Sequence, residues 1–174
     1  MASHKAMAIP VIRTPDGLKF LIVLDKRFKE WTFVTGGCRQ REIRNPLRCA
    51  LRELEEETRG IVNLKRGTYS YFRFTNIFPC EESLYHVYIF YIHLSDEDMK
   101  GIKERFKHEK QLMDTNQVCF RKQYDENDSI DFATIDEIEK KSNLWSLIHE
   151  KIIKNQEFYN ALHSEKSDKF YIVY

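Results

Sequence analysis

The first part of the chain alternates between apolar stretches and short polar connections. The apolar stretches MAIPVIR and KFLIVLDK flank TPDG, whose proline and glycine are typical of a turn, so the two stretches are predicted to form a β-hairpin. A third extended stretch, EWTFVT, ends at the glycine pair Gly36–Gly37, and the polar loop CRQREIR follows. This pattern predicts three strands that lead into the next element.

The segment after this loop, NPLRCALRELEEETRGI, has the periodicity and the boundary residues of a helix. Asn45 is a favoured N-cap, Pro46 is a favoured first helical residue, and Gly60 is a natural end. One face of the helix is apolar: Leu47, Ala50, Leu51 and Leu54. The neighbouring face is acidic: Glu53, Glu56 and Glu57. The helix is therefore predicted to bury one side and to present three carboxylates along its flank.

The remaining pattern predicts a mixed α/β domain. GTYSYFRFTNIF and SLYHVYIFYIHL are aromatic and β-branched and predict strands, and SIDFATI predicts a shorter one. Ser95 with Asp98, and Thr134 with Glu137, form capping boxes that begin helices. The last predicted helix is NLWSLIHEKIIKNQEFYNAL, and KFYIVY near the C-terminus resembles a strand. We expect a single domain over 1–174, with its core at about 8–150 followed by a C-terminal helix and tail.

The composition narrows the class of protein. The chain has 174 residues, 42% of them apolar and 32% charged, which is typical of one soluble globular domain. The net charge is +1, so attraction for nucleic acid would have to come from a local patch. The four cysteines form no C-x-x-C pair, which argues against a zinc site or a disulfide framework. No signal-peptide or membrane-length stretch is present, so we expect a cytoplasmic protein without a membrane partner.

The acidic helix face is the candidate for chemistry. Like charges three or four positions apart repel by a few tenths of a kcal/mol per pair, so a bound cation would relieve them. Carboxylate oxygens are the ligands that Mg²⁺ takes from proteins, together with water and substrate phosphates. On the helix alone, a solvated acidic face without a ligand explains the same residues.

The context of the helix resembles the Nudix hydrolases, whose pattern is G-x5-E-x7-R-E-U-x-E-E-x-G-U with U apolar. R-E-U-x-E-E is matched without a gap by Arg52, Glu53, Leu54, Glu56 and Glu57. The flanks depart from the pattern, because the first family glutamate falls on Arg44 and the first glycine on Cys38. If Gly37 is equivalent to that glycine, the loop holds one extra residue and Glu42 is the nearest acid. The later glycine position holds Arg59, with Gly60 one place further on.

The resemblance implies an α/β/α sandwich with a mixed central sheet and a metal-dependent pyrophosphohydrolase. The ligands implied for Mg²⁺ or Mn²⁺ are Glu53, Glu56 and Glu57, with the Gly37 carbonyl as a weaker candidate. Bound metal would promote the attack of water on a phosphorus of a diphosphate bridge. Arg52 is expected to pair with a glutamate and fix its side chain rather than to contact substrate.

Many relatives add an acid from a late loop, either as a general base or as a further ligand. QYDENDSIDF is the corresponding loop here, and Glu126 is our candidate over Asp125 and Asp128. A solvated loop acid is the alternative interpretation.

The substrate is less determined than the chemistry. Basic and aromatic residues near the expected site are candidates to bind phosphate or a base: Lys26, Arg27, Trp31, Arg39 and Tyr71. Surface charge and core packing are the alternatives for the basic and aromatic members respectively. CALRELEEETRGI, LYHVYIFYIHL and IIKNQEF also resemble the Nudix domain of viral mRNA-decapping enzymes, which implies capped mRNA as substrate and m7GDP as product.

Other readings stay open. Dinucleoside polyphosphates, ADP-ribose and diphosphoinositol polyphosphates all suit the same site. A Nudix-fold nucleotide-binding module without turnover and a plain interaction domain are the remaining hypotheses.

Overall fold

The computed structural model describes residues 3–65, 67–77 and 80–164, in which a mixed β-sheet lies between two layers of helices. The strands are β1 Ser3–Thr14, β2 Gly17–Asp25, β3 Trp31–Thr32, β4 Val34–Gly37, β5 Tyr69–Ile77, β6 Glu82–Ile92 and β7 Asn127–Ala133. The α-helices are α1 Pro46–Glu57, α2 Asp96–Asp114, α3 Ile135–Glu139, α4 Ser146–Ile148 and α5 Gln156–Leu162. Short 3-10 turns cover Gln40–Glu42 and Lys122–Tyr124, and a π-helical turn covers His149–Ile153. The predicted mixed α/β architecture is confirmed.

Strand β1 is the centre of the sheet and determines where the loops meet. It runs parallel to β6, from Ser3 opposite Ser83 to Ile12 opposite Ile92. Its other partners, β4 and β2, are antiparallel to it, β4 pairing with its first half and β2 with its second half. Strand β5 extends the sheet beyond β6, and β7 pairs with β2. The glycine end of β4 therefore lies beside the beginning of β1.

The alternation of β1 side chains divides the core between the two faces of the sheet. Ala6 and Ala8 face α1 and α2, and Met7 and Ile9 face the C-terminal helices. The apolar cluster on the first face includes Val23, Val34, Leu54, Phe90, Phe106 and Phe132. The cluster on the second face includes Phe20, Ile22, Phe33, Ile148, Ile152 and Phe158. The sheet is therefore covered on both sides, as the predicted sandwich requires.

The predicted hairpin and the start of α1 are confirmed, and the ends of several elements differ. Asn45 occupies the N-cap of α1 and Pro46 begins it, but the Asn45 side chain makes no capping hydrogen bond. The helix ends at Glu57, before the predicted Gly60. The third predicted strand is divided into β3 and β4 by Phe33, which is completely buried.

The prediction of one continuous C-terminal helix is wrong. The chain passes from α4 through the π-helical turn and leaves the helical path at Lys154 and Asn155. The Asn155 side chain accepts a hydrogen bond from the Glu157 N–H at 3.0 Å and starts α5 as a separate helix. Capping of this kind stabilises a new helix start, so it competes with a continuous helix. The predicted KFYIVY strand lies outside the described residues.

Candidate active site

Glu53 of α1 lies against the backbone of β4. The residue is buried, with 8% of its surface exposed. A Cβ atom added at Gly36 would lie 2.0 Å from the Glu53 Cδ atom. A glycine is therefore required at this position for the carboxylate to approach the strand so closely.

Glu57, one helical turn later, is buried at the same end of β4. Its Oε2 atom accepts a hydrogen bond from the Thr35 backbone N–H at 3.1 Å. Its Oε1 atom accepts one from the Asn127 Nδ2 atom at 3.3 Å, and the same Nδ2 atom lies 3.2 Å from the Glu57 carbonyl. The Asn127 Oδ1 atom is buried and is without a hydrogen-bond partner in the described part of the chain. A buried acceptor therefore lies next to the acidic helix face.

Arg52 connects the helix acids to the loop before α1. Its Nε and Nη2 atoms donate to the two carboxylate oxygens of Glu42, at 2.8 and 2.9 Å. Its Nη1 atom donates to Glu53 at 2.9 Å and to Glu56 at 3.1 Å, and Nη2 also reaches the Gly37 carbonyl at 3.1 Å. One guanidinium thus orients three carboxylates and the glycine carbonyl. Glu42, which the sequence suggests only as the nearest acid in the loop, is its bidentate partner.

The proton affinities of these carboxylates diverge sharply. Burial raises the pKa of Glu53 to about 7, and burial with the Glu53 charge raises the pKa of Glu57 well above its usual range. Burial and the Glu56 charge raise the pKa of Glu126. The Arg52 hydrogen bond instead lowers the pKa of Glu42 to about 2. The positive charge of Arg52 therefore does not offset the cost of ionising Glu53, Glu57 and Glu126 in this environment.

The donor set fits a hard divalent cation. Within residues 3–65, 67–77 and 80–164, no three acidic, histidine or cysteine side chains already converge around one point suitable for an ion. The Arg52 guanidinium lies between the Glu53 and Glu56 carboxylates. The donors that the acids and the Gly37 carbonyl offer are oxygen atoms, the pKa values of Glu53 and Glu57 are raised by burial, and the Asn127 Oδ1 atom, unpaired within the described residues, is another acceptor beside Glu57. Hard cations such as Mg²⁺ prefer this chemistry.

The structure separates the three acids of the loop before β7. Asp125 pairs with Lys26 at 2.6 Å and with Lys110 at 3.0 Å, and Asp128 pairs with Lys29 and Lys110. The Glu126 carboxylate instead adds its charge to that of the helix acids: burial and then the Glu56 charge raise the pKa of Glu126, and the Glu126 charge contributes to the raised pKa of Glu53 and of Glu57. Of the three loop acids, Glu126 is the one whose charge adds to the cluster.

The basic candidates for substrate contact differ in their distance from the acids. The Arg39 Nη2 atom lies 3.7 Å from the Glu56 Oε1 atom, so Arg39 is at the cluster. Lys26 is paired with Asp125, and the Arg27 guanidinium lies over the Phe28 ring at 5.1 Å. Both lie on the loop that follows β2, whose backbone at Lys26 bonds to the Glu126 carbonyl at 2.9 Å.

The aromatic candidates, Trp31 and Tyr71, make contacts that are typical of structural residues. Trp31 packs against the core on the C-terminal-helix face, with the Lys141 Nζ atom 4.4 Å from its ring centroid. Tyr71 lies on β5, where its hydroxyl group hydrogen-bonds with the His86 Nδ1 atom at 2.9 Å. Both rings therefore have structural partners of their own.

A cleft of about 430 Å³ opens beside the buried carboxylate of Glu57. Its lining also includes Lys5, Phe28, Glu30, Tyr85 and Trp145. The parallel register of β1 and β6 places Lys5 beside Tyr85, with the Lys5 Nζ atom 5.7 Å from the Tyr85 ring centroid. Sequence reasoning missed these residues because only the pairing of distant strands brings them together.

Sequence comparison decides the family. A profile of the NUDIX domain matches residues 3–145. The chain belongs to the Nudix family. No curated protein sequence matches this Nudix protein significantly. The family match identifies it as a Nudix pyrophosphohydrolase, a class that generally uses divalent metal ions.

Solved structures agree on the Nudix fold. The C. elegans Ap4A hydrolase superposes with a TM-score of 0.54 at 12% identity, covering 93% of this chain and 94% of that one. The NUDIX domain of Shewanella oneidensis NrtR complexed with ADP ribose gives 0.58 at 11% identity, covering 93% and 87%. A NUDIX hydrolase from Nitrosomonas europaea gives 0.55 at 16% identity, covering 92% and 90%. Separately, none of the described helices has the length and apolar character needed to cross a bilayer.

The metal-free Nudix protein is expected to lose stability as the pH rises from about 4.5 to 7. In that range Glu53 stays protonated in the folded state, where its pKa is about 7, but ionises in the unfolded state. The difference amounts to about 3 kcal/mol. Because a cation competes with this proton, Mg²⁺ should raise the melting temperature more at pH 8 than at pH 5.5. Thermal scans in EDTA and in Mg²⁺ measure this, and a Mg²⁺ shift equal at both pH values would contradict it.

The Glu53→Gln variant is the control for this pH dependence. It removes the titrating group but keeps a side chain of the same size beside Gly36. Its melting temperature in EDTA should vary less with pH between 4.5 and 7 than that of the unmodified protein, because the folded and unfolded states then differ less in bound protons.

Proposed function

We propose that this Nudix hydrolase uses Mg²⁺ or Mn²⁺ to cleave a diphosphate linkage in a substrate that carries a nucleoside. The observation that carries the proposal is that Glu57 belongs both to the acid cluster and to the wall of the cleft. A phosphate chain bound at the acids would therefore continue into a cleft that holds Lys5 and the aromatic side chains of Phe28, Tyr85 and Trp145.

Each part of this arrangement has a chemical role. The metal, when bound, neutralises phosphate charge and lowers the pKa of its water. Glu53, Glu56 and Glu57 would hold it, with the Gly37 carbonyl as a further oxygen donor. Glu126 would accept the proton of the attacking water, because a carboxylate with a raised pKa is a stronger base.

The cleft itself supports a nucleoside on the substrate. Lys5 supplies positive charge for phosphate oxygens within the cleft, and Arg39 supplies it beside Glu56 at the acid cluster. An aromatic side chain that stacks on a base contributes about 1–3 kcal/mol. Phe28 is the most accessible of the three rings, with 64% of its surface exposed. The structural neighbours agree with this class of ligand, since one is an Ap4A hydrolase and another holds ADP ribose.

Capped mRNA is the second candidate, supported by a row of lysines on α2. Lys100, Lys103 and Lys107 are exposed and recur on one face of the helix, where they line a groove of about 520 Å³. Strand β7, which begins directly after Glu126, forms the other side of this groove. An RNA body extending from the acid cluster could therefore place its phosphates along α2. Contacts of this type weaken steeply with salt.

A substrate panel with Mg²⁺ tests both candidates. We expect product from at least one of Ap4A, ADP-ribose, the cap dinucleotide and capped RNA, and none from a diphosphoinositol polyphosphate, which lacks a base. Decapping would appear as m7GDP release from capped RNA at least about 10-fold faster than from the cap dinucleotide, with loss of that preference in Lys100→Ala/Lys107→Ala and at high salt. Turnover of the inositol compound alone, or binding without any product, would overturn the proposal.

A further inference from the structure

Arg59 occupies a backbone conformation that normally belongs to glycine. It follows α1 with a φ of 56°, in the left-handed region. The Gly60 N–H donates to the Glu55 carbonyl at 2.7 Å and the Arg59 N–H to the Glu56 carbonyl at 3.2 Å, which is the Schellman arrangement at a helix end. The Nudix pattern has glycine at the Arg59 position. A residue other than glycine in this conformation costs free energy, which favourable contacts of its side chain can offset.

The Arg59 side chain is buried and bonded to three backbone carbonyl groups. Only 2% of it is exposed. Its Nη1 atom donates to the Phe106 carbonyl at 3.0 Å, Nε to the Tyr124 carbonyl at 2.9 Å, and Nη2 to the Asn127 carbonyl at 2.6 Å. The guanidinium also lies 3.9 Å from the centroid of the Phe106 ring. The end of α1 is thereby joined to α2 and to the segment before β7.

Two of these carbonyl groups flank Glu126. Tyr124 lies two residues before it and Asn127 directly after it, and the Glu126 carbonyl is held by the Lys26 N–H at 2.9 Å. The backbone around Glu126 is therefore fixed from two directions. Because Asn127 also donates to Glu57, the same anchor keeps the loop in register with the helix acids.

We propose that Arg59 is a positioning residue that holds the 124–127 segment so that the Glu126 carboxylate faces the acids of α1. The inference rests on the proposed function, since it acts through Glu126. It gives a physical role to the departure from the family pattern at this position. A glycine would relieve the backbone strain but would leave the segment without the hydrogen bonds to the Tyr124 and Asn127 carbonyls, and α2 without the one to the Phe106 carbonyl.

The Arg59→Gly variant tests the role with nucleotide hydrolysis measured below the unfolding range. We expect kcat to fall about 10- to 100-fold with KM changed less than about 3-fold, because misplacement of a catalytic group affects the reaction rather than binding. Mn²⁺ affinity followed by electron paramagnetic resonance should change by less than about 3-fold. Arg59→Lys keeps the positive charge but cannot make all three guanidinium hydrogen bonds, so it should restore less than half of the lost rate.

Non-additivity distinguishes positioning from a purely structural role. In the Glu126→Gln background, Arg59→Gly should cause no further fall in kcat, because both changes then remove the same contribution. Independent, multiplied effects would overturn the proposal, and so would an unchanged kcat in Arg59→Gly. Ile152→Ala, buried in the core on the opposite face of the sheet, is the control for general destabilisation and should leave kcat within about 2-fold at the same temperature.

Hydrogen exchange tests the anchor independently of catalysis. In Arg59→Gly, the amides of Tyr124 and Asp125 should exchange at least about 10-fold faster, while those of α1 keep their protection. If no nucleotide is hydrolysed by the unmodified protein, the proposed function fails, and this measurement alone decides the role of Arg59. Equal exchange rates in the two proteins would then overturn it.

Discussion

Replacing Glu57 with glutamine is expected to lower kcat/KM on the order of 1000-fold without loss of the fold. A catalytic metal ion stabilises the transition state by several kcal/mol, and removal of a charged ligand should abolish most of this stabilisation. The fold should persist because glutamine can still accept the Thr35 N–H hydrogen bond. The metal-free variant should be at least as stable as the parent protein, since a buried, weakly compensated carboxylate is removed. Steady-state kinetics and thermal melting in EDTA measure the two effects.

Glu55→Gln is the matched control on the same helix. Glu55 lies two residues earlier, outside the acidic face formed by Glu53, Glu56 and Glu57, so its loss changes the net charge equally. We expect its activity to stay within about 3-fold of the parent protein, as for surface substitutions generally. The assignment of Glu57 to the metal site would be wrong if the two variants had equal activity, or if Mn²⁺ stabilised Glu57→Gln as strongly as the parent protein.

The sequence was sufficient to locate the acidic helix because local rules determine it. Asn45, Pro46 and the apolar spacing place α1, and the fixed geometry of one helical turn places Glu53, Glu56 and Glu57 together. The hairpin β1–β2 follows for the same reason, since its turn chemistry lies within a few residues. Local determination explains why the family pattern could be found here despite its interrupted flanks.

Features that depend on distant contacts could not be predicted. The parallel pairing of β1 with β6 brings Lys5 to Tyr85, and no local pattern indicates that the two will form one cleft wall. Asn127 reaches Glu57 only because the segment before β7 packs against α1. The break at Asn155 was not predicted because the apolar spacing of a helix continues across this residue. The hydrogen bond by which the Asn155 side chain caps a new helix is visible only in the structure.

Arg59 shows where a departure from a pattern carries information. From the sequence, the displaced Gly60 suggests only a tolerated slip at a helix end. In the structure, the end of α1 keeps its Schellman hydrogen bonds although arginine occupies the left-handed position. The arginine side chain adds hydrogen bonds that a glycine could not make. Glu42 is a similar case, because an extra loop residue still delivers a carboxylate to Arg52. The loop before α1 differs in length from the family pattern, but the Arg52–Glu42 pair is present.

Arg52→Met is expected to destabilise the metal-free protein by about 3–5 kcal/mol at neutral pH. The change leaves Glu42, which is only 6% exposed, as a buried carboxylate without its bidentate partner. Hydrolysis should also fall, because Glu53 and Glu56 lose the donor that orients both of them. Urea unfolding in EDTA gives the free energy of unfolding, and methionine keeps most of the apolar length of the arginine side chain.

A double-mutant cycle with Glu42→Gln separates the Arg52–Glu42 pair from the other bonds of Arg52. Glutamine at 42 can still accept the Arg39 N–H through Oε1, so that the loop geometry is maintained. The double variant should lose less stability than the sum of the single losses, because the penalty of an unpaired Glu42 carboxylate no longer arises.

The pH dependence of stability below pH 4.5 gives an independent check. Arg52 lowers the pKa of Glu42 to about 2, so stability that is present above pH 4.5 is lost as the pH falls toward 2. In Arg52→Met, stability should fall less steeply between pH 4.5 and 2. If the losses in the double-mutant cycle were strictly additive and this pH dependence were unchanged, the pair would not hold the loop to α1.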